Sequence, residues 1–363
     1  MLAIMLERSR KVKWFSTGNP GIPCSTGNPG IIALILAGNP GIVTTMRVHL
    51  PNSAFLGNLD AFLRGLDLSE PDHLQVTANE KWLSLHPVAI SMVAALGLTI
   101  DPQRIDFPIP EARSAHYLVR MHLFELLSIP CGIEIQEHAP EGRFIPLTQI
   151  RTATETSTFV TEMIPCLHLN PDQAETTSHI FSELIANVLE HSGSPNGAIL
   201  CAQYYQKSNT IRIGIADTGV GLRSTINRAW QADSDLRAIQ LALWPGITGT
   251  TRKEGGTAQN VGAGLFLIKS IANVNRDLFV IYSGNGFYKL LKKSIGAGIS
   301  LHADPFDDRH SKGDGYPRWP GTVVGVDITL DQTRDFRVLL TALRKAFYQE
   351  RKSVPKLKKP IFL

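Results

Sequence analysis

The sequence predicts an α/β protein: a two-layer α+β sandwich with a mixed sheet covered on one face by helices, preceded by a smaller α/β domain. From Met46 onward, strand-like and helix-like runs alternate, the pattern of layered α/β architectures. Apolar residues at 180, 181, 184, 185, 188 and 189 keep helical spacing up to His191, which predicts one long amphipathic helix. Two strand-like runs then follow, Ala198 to Gln206 and Thr210 to Ala216, separated by Lys207-Ser208-Asn209 as in a hairpin.

With 363 residues, 43% hydrophobic and 19% charged, the chain can bury about two cores. The formal net charge of +4 is concentrated near the ends, in Arg8 to Lys13 and in Arg351, Lys352, Lys356, Lys358 and Lys359. Such tails read as solvated, so no nucleic-acid partner is inferred. Cys24, Cys131, Cys166 and Cys201 have neither metal-ligand spacing nor disulfide-scaffold density, which fits a reducing cytoplasm. The longest early apolar run, Ile31 to Ala37, is far short of the roughly 20 residues that span a bilayer, so no membrane association is expected.

Residues 1–45 carry the hexamer Thr17-Gly18-Asn19-Pro20-Gly21-Ile22, its copy at Thr26 to Ile31, and Ala37-Gly38-Asn39-Pro40-Gly41-Ile42. Units this short and turn-rich cannot build a core, so disorder is expected there, with the native protein starting at Met46. The small domain, 46–130, reads as strand Met46 to Leu50, helix Ala54 to Leu66, strand His73 to Ala78, helix Pro87 to Leu96, strand Gln103 to Phe107 and helix Ala112 to Leu127. Residues 131–164 are the connection to the larger domain, 165–330; over 131–172 short extended stretches, prolines and the threonine-rich 152–161 read as that connection plus a first strand of the larger domain. Asp172, with Glu175 three residues on, is the expected cap of the long helix, and Ser192 to Gly197 ends it. Beyond the hairpin come a helix at 233–244, a helix from Gly264 to Ala272, and strands Leu278 to Ser283 and Gly321 to Leu330. A C-terminal helix, Phe336 to Tyr348, and the basic tail occupy 331–363.

At about 100° per residue, Asn187 sits about 40° round the helix from Glu183, so a carboxylate and an amide share one face. Downstream stand Asp217-Thr218-Gly219-Val220-Gly221, the glycine- and threonine-rich 248–260, Asn260-Val261-Gly262-Ala263-Gly264-Leu265, and Pro320-Gly321-Thr322-Val323. In this order, over about residues 165–330, these motifs resemble the GHKL ATPase superfamily (gyrase, the 90-kDa heat-shock chaperone, histidine kinases and MutL), in particular the histidine-kinase-like ATPase domain of anti-sigma-factor kinases. The resemblance implies a Bergerat-type ATP-binding domain with ATP and Mg²⁺ as cofactors. It implies Asn187 as the N-box Mg²⁺ ligand and Glu183 as general base. It implies Asp217 reading the adenine amino group, Gly219 and Gly221 passing close under the purine, and Gly262 and Gly264 facing phosphate at the end of an ATP lid spanning 248–260. Thr322 would help hold adenine, and Arg252 and Lys253 are candidates to reach phosphates. His191, in Glu190-His191-Ser192, is similar to the same family's N-box end.

The strand and turn at Leu83-Ser84-Leu85-His86-Pro87-Val88-Ala89-Ile90 make 46–130 resemble STAS domains. Leu85-His86-Pro87-Val88 stands where switched members carry an Asp-Ser-Ser-Gly-like turn, so neither Ser84 nor Ser91 is taken as a phosphoacceptor. The expected function is an ATP-binding signalling regulator that transfers phosphate to a protein partner or hydrolyses ATP slowly, with a homodimer as a further expectation. Two alternatives stand beside it. One is a non-catalytic, nucleotide-gated interaction module. The other is an atypical soluble sensor histidine kinase, for which His116 and His122 lack the usual phosphoacceptor context.

Overall fold

The computed structural model describes residues 45–69, 72–111, 113–133, 143–247, 264–293 and 301–330. Its first layer is built from strands β1 (Met46–Leu50), β2 (Ser53–Ala54), β3 (Leu74–Ala78), β4 (Ser84–Leu85) and β5 (Ile105–Asp106), with helices α1 (Leu59–Arg64) and α2 (Pro87–Gly97). β1, β3 and β5 form a parallel sheet, and β2 pairs parallel with β4. α1 is shorter than the apolar pattern suggests, because Ser53–Ala54 is taken up by β4 and Asn58 closes a turn by accepting the Phe55 N–H at 2.8 Å. The single helix expected at 112–127 is instead a 3₁₀ turn followed by α3 (His116–Arg120) and α4 (Leu123–Leu126). It breaks at His122, whose φ of 58° is left-handed.

The second layer holds β6 (Phe144–Ile150), α5 (Ala153–Thr158), α6 (Pro171–His191), β7 (Ala198–Tyr205), β8 (Thr210–Ala216), α7 (Gly221–Ile226), α8 (Asp235–Ala242), α9 (Gly264–Val274), β9 (Phe279–Leu290) and β10 (His310–Thr329). The threonine-rich segment is helical rather than a strand. Thr152 caps it by accepting the Glu155 N–H while Glu155 returns a bond to the Thr152 backbone, a local device that overrides the β preference of threonine. Asn170, not Asp172, caps α6, reciprocally with Gln173 and ahead of Pro171 at the first helical position.

These strands form a five-stranded sheet in the order β6-β7-β8-β10-β9. Every neighbouring pair is antiparallel, which corrects the expected mixed sheet. The chain reaches the far edge through α7, α8 and α9, lays down β9, and turns back so that β10 fills the gap beside β8 in the opposite direction.

Side chains alternate across this sheet. Ala198, Leu200, Ile211, Ile213, Ile215, Val324 and Val326 pack with α6 and α9, whereas Ile199, Cys201, Val280, Tyr282 and Val323 pack with the first layer. Both faces are therefore covered, not one. α2, whose eleven residues are all buried, lies directly on the second face. Glycines allow that approach: a Cβ at Gly214 would overlap the Val88 backbone nitrogen, and one at Gly325 would stand 2.7 Å from Leu56 Cδ2. Polar bonds seal the contact. Ser91 donates to the Gly214 carbonyl at 3.1 Å. His86 Nδ1 accepts the Val88 N–H, so Nε2 carries the proton and donates to Asp327 Oδ1 at 3.1 Å. Burial pushes the His86 pKa down and keeps the ring neutral. The described residues, all within 45–330, belong to one compact unit. The expected disorder of 1–45, except at Thr45, and the expected lid at 248–260, Gly262 and C-terminal helix fall outside the described residues.

Candidate functional site

A cleft forms where α6, the end of β8, the start of α9 and the middle of β10 meet. α6 turns Ile180, Phe181, Leu184 and Ile185 into the core. Glu183 and Asn187, one turn apart, therefore line the cleft together, and His191 follows one turn on. Asp217, Gly221, Gly264 and Thr322 complete the expected residues around the same cavity of about 100 Å³. Gly219 lies just behind it, where a Cβ would overlap the Ser192 carbonyl oxygen. Gly262, Arg252 and Lys253 lie outside the described residues.

Each polar group is held. Asn187 Nδ2 donates to the Glu183 carbonyl at 2.8 Å, which fixes the amide and leaves Oδ1 as its available acceptor. A Cβ at Gly264 would overlap Glu183 Oε2 and stand 3.6 Å from Asn187 Nδ2, so the first residue of α9 touches both side chains. His191 also reaches the cavity, with Nδ1 buried and without a hydrogen-bond partner among the described residues.

Asp217 is 2% exposed. Burial raises its pKa to about 6, against the pull of hydrogen bonds from the Gly219 and Thr322 backbone. Oδ1 accepts the Gly219 N–H at 2.8 Å, its backbone N–H donates to the Thr322 carbonyl at 2.9 Å, and its carbonyl accepts Trp319 Nε1–H at 2.9 Å. A carboxylate offers about four lone-pair sites, so this one keeps acceptor capacity in an apolar setting. Gly221, at φ 74°, starts α7 in a conformation that disfavours other residues.

Four supporting residues were not singled out as site residues from sequence. Ser283 Oγ donates to the Gly321 carbonyl at 2.7 Å and accepts the Leu222 N–H at 2.9 Å, joining β9 to β10 and α7. Gly321 lets β10 press against Asp217, where a Cβ would overlap Oδ1. Ser192 accepts the Val220 N–H through its carbonyl at 2.8 Å. Trp319, 1% exposed, stands over the Asp217 backbone. The legible signal was a serine ending an apolar strand and a tryptophan among prolines and glycine, but long-range pairing gives these residues their task.

Among the described residues no group of three His, Cys, Asp or Glu side chains is placed to hold a metal ion. A hard cation at this cleft would thus rest on one amide oxygen, Asn187 Oδ1, with its other oxygen ligands coming from a bound anion and water, which suits Mg²⁺. His116 and His122 do not line the cleft, and His122 Nδ1 lies 3.0 Å from Glu125 on the surface. Comparison of the chain with protein-family models, with curated proteins and with solved structures gives no match.

Proposed function

We propose that this cleft binds Mg-ATP and that the chain is a signalling regulator of the histidine-kinase-like ATPase type. The observation that carries the reading is the convergence of Glu183, Asn187, Asp217, Gly221, Gly264 and Thr322, from four separate segments, around one cavity. Asp217 would accept from the adenine amino group, where burial strengthens the contact. Gly221 and Gly264 would let base and phosphates approach the backbone without a Cβ. Asn187 would give Oδ1 to the cation. Bound Mg-ATP supplies a phosphoryl group whose charge the cation partly offsets. Glu183 would orient an attacking hydroxyl, from water or a partner's serine, and accept its proton as the phosphoryl group moves to that oxygen and ADP departs.

The cavity volume favours a second element of the reading. About 100 Å³ accommodates part of a nucleotide, well below the roughly 300–1,000 Å³ of ordinary ligand pockets. Binding would part the walls, and that movement is what a nucleotide-gated interaction module requires, with or without turnover.

Calorimetric titration of the full chain with ATP, with and without Mg²⁺, tests the proposal. Wild type is expected to bind in both conditions and more tightly with Mg²⁺. Asp217→Ala should lose binding in both, and Asn187→Ala should lose only the Mg²⁺ enhancement. Glu183→Ala should keep binding but lose phosphate release or transfer; unchanged absence of turnover in wild type assigns the gated module instead. An Asp217→Ala chain that binds ATP like wild type defeats the ATP reading.

A further inference from the structure

The hairpin end of β8, opposite Asp217, carries a second cavity of about 430 Å³. It lies about 20 Å from the nucleotide cleft, the length of the seven-residue strand. Arg120 on α3, Arg143 just before β6 and Lys207 in the hairpin turn converge on it, and its described lining includes no carboxylate. Among the described residues none of these three cations has an ion pair or side-chain hydrogen bond. A cleft lined by one sign of charge focuses its field and draws in an ion of the opposite sign, here an anion.

Tyr117 adds a buried hydroxyl to the same lining. Tyr117 Oη and Arg120 Nε, one helical turn apart on α3, are buried polar atoms with no hydrogen bond among the described residues. Such atoms carry a desolvation cost that a ligand would relieve. Phe144 and Tyr205 supply flat apolar surface beside them. Tyr205 is held in place, its hydroxyl donating to Gln203 Oε1 at 2.8 Å and its ring stacked on Arg212 at 4.1 Å.

We infer that this cavity is a binding site for a small phosphate monoester with an aromatic body, its phosphate held by Arg120, Arg143, Lys207 and Tyr117 Oη and its ring lying against Phe144 and Tyr205. Guanidinium groups match phosphate oxygens in pairs, and three cations suit a dianion better than a carboxylate. This site does not depend on the nucleotide cleft.

The test is calorimetric titration of the full chain with phenyl phosphate and, separately, inorganic phosphate. Phenyl phosphate is expected to bind wild type and Asp217→Asn alike, and more tightly than inorganic phosphate. Arg143 and Lys207 are exposed, so Arg143→Gln with Lys207→Gln should leave the fold intact by circular dichroism while weakening binding by roughly tenfold or more. Tyr117→Phe keeps the ring and removes one donor; several-fold weaker binding is expected, with thermal stability unchanged or raised. Undiminished affinity in the double variant, loss of binding in Asp217→Asn, or no binding of phenyl phosphate overturns the assignment. Equal affinity for inorganic phosphate overturns the aromatic part of it.

Discussion

Asp217 is where stability and recognition oppose each other. Its folded pKa, about 6, lies above the ordinary 3.8, so the folded state holds that proton more tightly than the unfolded chain does. The cost of burying the charge is absent below about pH 4, grows as pH rises, and is complete above about pH 6. Asn at this position would still accept the Gly219 N–H but would carry no charge. Asp217→Asn is therefore expected to stabilise the chain at pH 8 by about 1–3 kcal/mol and to add little at pH 4, read by chemical denaturation at both values. The same variant should bind ATP at least tenfold more weakly, because an amide presents one acceptor oxygen where the carboxylate presents two.

Among the elements, α2 and α6 show how far the sequence could be read. Pro87 at the first turn and a largely apolar run make α2 legible, as two strand-like runs about a short polar turn do β7 and β8. All eleven residues of α2 are buried, but nothing local in the sequence says against what. Gly214 and Gly325 answer that, and their meaning depends on a partner helix more than a hundred residues away in the chain. Gly214→Ala should destabilise by about 1–3 kcal/mol or more in urea unfolding, since the new methyl meets backbone rather than a movable side chain. A first strand within 131–172 is expected from sequence, but its place at β6 is not legible, because Pro146 and a register shift between Ile145 and Thr148 interrupt its pattern at the sheet edge. In the candidate site, helical spacing puts Glu183 and Asn187 on one face, and Asp217 is singled out by the resemblance that its glycine motif helps to carry. Ser283, Gly321 and Trp319 did not, because they act through contacts between strands that spacing does not encode.

At the scale of the molecule, the first layer and the five-stranded sheet share one apolar cluster. A fragment of residues 143–330 would expose Ile199, Cys201, Val280, Tyr282 and Val323 to water and leave Asp327 without His86. It is expected to bind a hydrophobic dye and self-associate in size-exclusion chromatography, whereas residues 46–330 should elute without dye binding. A well-behaved, dye-negative 143–330 fragment would show that the sheet tolerates losing its cover.

The seven residues of β8 also set a design rule for inhibitors. Asp217 follows the strand and Lys207 precedes it, so a compound reaching both cavities must bridge about 20 Å. The strand is buried on both faces, which forces any tether to travel around the molecule rather than along it. A stiff two-headed compound of 20 Å would fail for want of a path. A longer flexible tether would gain avidity only in so far as its effective concentration survives the detour.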